Sequence, residues 1–173
     1  MIAHALTSVR ALLAVPFAWW MYSSGPGAAA LAGVALAFAV ATDLLDGAAA
    51  RRFGTQSPAG RAFDHAVDFV FVSGGLCSAA ARGSLPWLLP AVVSVAFAQY
   101  VIDSYWLHRQ GELRMSGLGR WNGILYFAPL MTDIARRLGA GVLPIAESAL
   151  AWLLIASTLL SIADRALAVR HPS

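Results

Sequence analysis

Six long apolar runs constrain what this chain can fold into more than any other feature of it. They extend from about Ala5 to Tyr22, Ala28 to Ala50, Pro58 to Arg82, Pro86 to Leu107, Arg120 to Ala135 and Val142 to Ala168. A helix needs about 20 apolar residues to cross the hydrocarbon core of a bilayer. Charged residues make up 12% of the chain, about half the share usual in soluble proteins, too few to cover a soluble domain of this size. The runs are rich in Ala and Leu and lack the alternation of a barrel strand. The expected fold is therefore all-α: a polytopic membrane protein of six transmembrane helices. Residues 1–173 should form one domain, since no hydrophilic linker is long enough to divide them.

Local signals set the boundaries. Ser23-Ser24-Gly25-Pro26-Gly27 separates the first two runs, and Ser57 is placed to cap a third helix with Pro58 in its first position. Pro129 predicts a kink in the fifth. Arg10 interrupts the first run, so that segment reads as a retained helix and not as a cleavable signal. Cys77 is the only cysteine, which excludes an internal disulfide, and its apolar surroundings suit a small core residue.

The chain has twelve Arg and no Lys. The Arg fall in short clusters between apolar runs, as membrane-flanking charges do, and form no continuous basic face for nucleic acid. With the N-terminus in the cytoplasm, the inner side holds Arg51, Arg52, Arg61, Arg109, Arg114, Arg120, Arg165 and Arg170. The outer side holds Arg82, Arg136 and Arg137. This bias predicts both termini, and the end of helix two that meets helix three, on the cytoplasmic side of the cell membrane.

That end carries "DLLDGAAARRFGTQSPAGRAFDHAVD", from Asp43 to Asp68. Asp43 and Asp46 are spaced i, i+3 and share one face of a helix, and Asp64 and Asp68, spaced i, i+4, share a face of the next. The short connection predicts that the two helices are antiparallel neighbours, with both pairs near one level. Four carboxylates that close repel as anions, and divalent cations relieve the repulsion. Two Mg²⁺ or Mn²⁺ ions suit an all-carboxylate shell. Charge pairing with Arg51, Arg52 and Arg61 is the competing account of the cluster. Gly47 and Gly60 would let a bulky ligand approach the carboxylates, although helix packing explains each glycine singly. Arg51 could grip a phosphate or serve as an ordinary membrane-edge anchor.

The stretch resembles the signature of the CDP-alcohol phosphotransferase family, D-x2-D-G-x2-A-R-x8-G-x3-D-x3-D, at Asp43, Asp46, Gly47, Ala50, Arg51, Gly60, Asp64 and Asp68, with every spacing kept. The resemblance implies a membrane-embedded, six-helix, usually dimeric enzyme. Such enzymes displace CMP from a CDP-alcohol, here most simply CDP-diacylglycerol, with a hydroxyl acceptor. It implies Asp43, Asp46, Asp64 and Asp68 as ligands of two metals, with Asp68 also the base for the acceptor hydroxyl. It places Gly47, Ala50, Arg51 and Gly60 along the CDP site.

Outside the signature, Thr7, Arg10 and Pro16 fit the family's N-terminal segment, with His4 where Asn is common. Arg10 could equally be an anchor that snorkels to the membrane surface. "SGLGRWNG" is the expected place for acceptor selection: Arg114 and Arg120 could hold an anionic acceptor or mark the positive inner side, and Asn122 could line the cavity or cap a helix. Asp103 is an intramembrane acid able to orient an Arg. His65 and His108 lack partners at zinc-ligand spacing. Asp133, with Arg136 and Arg137 at i+3 and i+4, reads as a surface ion pair. Trp19, Trp87 and Trp121 fit interface anchors. Two alternatives stand beside this reading. An aspartate-rich intramembrane prenyltransferase would carry a second, distant aspartate motif, and a divalent-metal transporter would need polar residues through the outer halves of helices two and three. The sequence has neither feature.

Overall fold

A computed structural model describes residues 2–53, 58–102 and 117–170. Every regular element among the described residues is an α-helix: α1 (Ile2–Tyr22), α2 (Pro26–Phe53), α3 (Pro58–Ala81), α4 (Leu88–Ile102), α5 (Gly117–Leu125), α6 (Phe127–Arg137) and α7 (Pro144–Arg170). The expected fifth helix is two helices separated at Tyr126. Pro129 explains the position of the break: it has no N–H to give the Leu125 carbonyl, and its ring crowds that same carbonyl four residues upstream. Ser57, the expected cap of α3, and residues 103–107, the expected end of the fourth helix, lie outside the described residues.

α1 is the centre of the arrangement. It packs along both α2 and α3, and among the described residues those two helices have little direct contact with each other. Over that stretch α1 stands where the sequence predicts that α2 and α3 are immediate neighbours. The close approach of α1 to α3 rests on Gly75. A Cβ on Gly75 would fall 2.6 Å from Phe17 Cε1 and 3.0 Å from Leu130 Cδ2, whereas one on Gly74 would make an ordinary 3.7 Å contact with Ala18. Phe17 stacks on Phe71 at a centroid distance of 4.2 Å within this seam.

The burial pattern differs from that of a soluble bundle at the surface and at a few interior positions. Leu12 and Val15 on α1 are each 77% exposed, while Thr7, Arg10, Asp133 and Glu147 are buried. Trp19, Trp87 and Trp121 are exposed, as interface anchors would be. Exposed leucines around buried charges cost little where hydrocarbon, not water, covers the outside. Pro26–Leu44 and Pro144–Leu167 are long and apolar enough to cross a membrane, and Leu88–Ile102 is a shorter apolar helix.

A polar clasp closes one end of the bundle. α3 and α6 both finish in turns that return two amide protons to the last helical carbonyls. Ser84 N bonds Ala79 O at 3.0 Å and Gly83 N bonds Ala80 O at 2.9 Å; Ala140 N bonds Ala135 O at 3.0 Å and Gly139 N bonds Arg136 O at 3.1 Å. Gly83 and Gly139 take the left-handed φ of 85° that this turn requires. The turns bring Arg82, Arg136 and Arg137 around Asp133. Arg82 Nη2 donates to Asp133 Oδ2 at 2.6 Å, Arg136 Nη2 to Oδ1 at 3.1 Å, and Arg137 Nη1 lies 3.7 Å from Oδ2. Asp133 is 0% exposed, so the expected surface ion pair is a buried one. Arg136 Nε also donates to Glu147 Oε2 on α7 at 2.7 Å. Arg137 Nη2 donates to the carbonyls of Trp20 at 3.1 Å and Ser23 at 2.5 Å, which caps the end of α1.

Candidate active site

The opposite end of the bundle holds the aspartates. Asp43 is in the second half of α2, and Asp64 and Asp68 are in the first half of α3. α1 reaches all three. Thr7 Oγ1 donates to Asp64 Oδ1 at 2.6 Å. One turn later, Arg10 Nη1 donates to Asp68 Oδ1 and lies 3.4 Å from Asp43 Oδ1, while its Nη2 is 3.5 Å from Thr42 Oγ1. The Thr42 hydroxyl in turn donates within its own helix, to the carbonyls of Phe38 and Ala39 at 2.9 Å. Thr7 and Arg10 lie on one face because they are spaced i, i+3. The wedge position of α1 is what lets that face serve both aspartate-bearing helices at once.

Arg10 is 2% exposed, which excludes the snorkelling-anchor reading. A buried guanidinium costs several kcal/mol unless carboxylates and further acceptors compensate it. Asp43 remains 56% exposed and Asp68 27%. The carboxylates therefore have Arg10 on the inside and open space on the other side. Asp43 and Asp64 are both close enough to Asp68 to act on its charge.

The open space is a cavity of about 670 Å³ that Arg10, Asp43 and Asp68 line at its polar end. Its walls come from α2 to α7 and are mainly apolar, among them Phe69, Val93, Phe97, Phe127 and Met131. Phe69 and Phe97 stack at 4.0 Å. Arg165 of α7 also faces the cavity, with its guanidinium over the Tyr100 ring at 5.5 Å. Tyr100 meets His65 edge to face at 6.1 Å. An apolar chamber of this size with a few convergent charges at one end is the usual form of a small-molecule site.

The other expected site residues are placed as follows. Asp46, Gly47, Ala50 and Arg51 continue α2, one to two turns beyond Asp43, and Arg120 is in α5, but their side chains lie outside the described residues. Gly60 is in the first turn of α3. Arg114, Asp103 and His108 lie outside the described residues. Asn122 neither caps a helix nor lines the cavity: it is buried, and its Oδ1 accepts from Ser157 Oγ at 2.7 Å, tying α5 to α7. Arg165 was not expected at the site; an Arg in the last turns of an apolar helix has the same sequence signature as a membrane-edge charge.

Among the described residues, no three acidic, imidazole or thiol side chains converge at metal-binding distance. The donor set still suits a hard divalent cation. Asp43 and Asp68 present carboxylate oxygens at one end of one cavity, with Asp64 one turn before Asp68 on α3.

Comparison with known families agrees with the geometry. The model of the CDP-alcohol phosphatidyltransferase family matches residues 1–164, and the chain belongs to that family. No curated relative and no solved structure matches it. Membership and the two long apolar helices together make it an integral membrane protein and a transferase of the CDP-alcohol type.

Proposed function

We propose that this member of the CDP-alcohol phosphatidyltransferase family moves a phosphatidyl group from CDP-diacylglycerol to an acceptor hydroxyl and releases CMP. The observation that carries the reading is the convergence of Asp43, Asp64 and Asp68 on α1, with Asp43 and Asp68 at the polar end of an apolar cavity. The lipid body of the donor suits the apolar walls, and its diphosphate suits the charged end.

Asp43, Asp46, Asp64 and Asp68 would hold two Mg²⁺ or Mn²⁺ ions. Such ions, when bound, neutralise the diphosphate and stabilise the departing phosphate oxygen. The chain's own residues do the rest. The acceptor oxygen forms a bond to the lipid-side phosphorus, the bond from that phosphorus to the bridging oxygen of CMP breaks, and Asp68 takes the hydroxyl proton. Gly47, Ala50, Arg51 and Gly60 would line the nucleotide path, and Arg114 and Arg120 would meet an anionic acceptor. The same reading has six transmembrane passes, the aspartate end in the cytoplasm, and a homodimer in the cell membrane.

The decisive test is CMP release from radiolabelled CDP-diacylglycerol, with glycerol phosphate, inositol phosphate, inositol, serine and a phosphatidyl lipid offered in turn. One acceptor should support turnover that chelator abolishes. Full turnover in chelator would overturn the metal assignment, and no turnover with any acceptor would overturn the donor.

A further inference from the structure

Three of the four signature aspartates take their contacts from α1, and the stronger of those contacts is with a cation. Arg10 Nη1 sits between Asp43 Oδ1 and Asp68 Oδ1, and the same side chain lines the cavity. Resting on the metal reading above, we infer that Arg10 is the resident counter-cation of this pair, which a divalent ion must displace from Asp68 Oδ1 in order to bind. Arg10 is then a positioning residue that sets metal affinity.

The physical case is one of competition. A carboxylate oxygen that already receives a charge-assisted hydrogen bond offers a weaker lone pair to a metal, and the guanidinium adds repulsion toward any second cation nearby. Thr7 differs: its neutral hydroxyl on Asp64 orients that carboxylate without repelling a cation. Arg10 cannot move outward to water, because it is buried within the α1 seam. The cavity is the open side of its position, and an anionic diphosphate arriving there would meet it. Metal-free protein is held together at this end by Arg10, and metal-loaded protein has that cation released toward the substrate.

The test measures Mn²⁺ binding by electron paramagnetic resonance on the purified full chain in detergent, without nucleotide or lipid substrate. Arg10→Gln removes the charge and keeps most of the bulk. It should bind Mn²⁺ about tenfold more tightly than the wild type, the scale of one lost charge-assisted hydrogen bond. Its melting temperature without metal should fall, and Mn²⁺ should raise that temperature more than in the wild type. Arg10→Lys keeps the charge as a compact ammonium without the guanidinium's fixed fork, and its affinity should lie between the two; it also serves if Arg10→Gln fails to fold. Mn²⁺ affinity in the folded variants equal to or weaker than that of the wild type overturns the inference. Absence of Mn²⁺ binding in the wild type and both variants overturns the metal reading itself.

Discussion

Asp133→Asn removes the one acid that three arginines share at the end of the bundle remote from the cavity. The structure sets the size of the effect. Asp133 is fully buried, with Arg82 at 2.6 Å, Arg136 at 3.1 Å and Arg137 at 3.7 Å. Breaking a buried pair from one side costs about 3–5 kcal/mol, because the remaining charge stays buried without compensation. Arg136 is 31% exposed and keeps Glu147, so it can recover part of its loss in water. Arg82 and Arg137 cannot recover in the same way, being 14% and 6% exposed. The expected loss is therefore near the lower bound, about 3 kcal/mol. At about 2–4 °C per kcal/mol for a chain of this length, the melting temperature in detergent should fall by roughly 6–12 °C. Arg82→Gln, which leaves Asp133 two partners, should cost less. Turnover measured well below the melting point should stay near the wild type in both variants, since the clasp lies at the other end of the bundle. A fall of under about 2 °C in Asp133→Asn would refute the buried-clasp account on the same scale.

Four further outcomes are expected. Gly75→Ala forces a Cβ to within 2.6 Å of Phe17 and should cost about 1–3 kcal/mol in thermal unfolding, while Gly74→Ala should be close to neutral. Asp68→Asn should abolish CMP release even at saturating Mn²⁺, whereas Asp43→Asn and Asp64→Asn should be partly rescued by excess metal; near-wild-type release by Asp68→Asn would exclude the base role. Arg120→Ala should raise the acceptor KM by roughly 10- to 150-fold and leave the donor KM nearly unchanged, the effect of one charge-assisted hydrogen bond of about 1.5–3 kcal/mol; equal changes in both would point to a structural role. In a Cys77→Ser background, an impermeant thiol reagent applied outside intact cells should label Ser24→Cys and not Thr55→Cys, and the reverse pattern would invert the orientation.

The helices were legible because their signals are local. Hydrophobic run length, Pro58 at a helix start and the Gly-containing turns placed the boundaries of α1, α2, α3 and α7 to within three residues. The aspartate signature was equally plain, since i, i+3 and i, i+4 spacing fixes which side chains share a face. The order of packing was not legible. A short α2–α3 connection suggests adjacent helices, yet nothing in that stretch says that a third helix fits between them. The information is spread over Ala14, Phe17, Ala18, Gly74 and Gly75, whose sizes match only once the fold is known. Asp133 was misread for a related reason. Its i+3 and i+4 arginines are the pattern of an exposed helix face, and the partner that reveals burial, Arg82, is 51 residues away in the sequence.

The two charged ends of the bundle differ in how completely each satisfies itself, and the difference bears on function. At the clasp, Arg82, Arg136 and Arg137 face Asp133 and Glu147, and Arg137 spends further donors on the end of α1. Three cations against two acids and several carbonyls is close to neutral and almost closed. At the site, Arg10 meets Asp43 and Asp68 from the inside, a neutral hydroxyl from Thr7 meets Asp64, and Asp43 stays 56% exposed. Carboxylate charge at the edge of an apolar cavity is costly unless cations meet it there. Carboxylates that are partly exposed and open to the cavity suit a place where cations and a diphosphate arrive together.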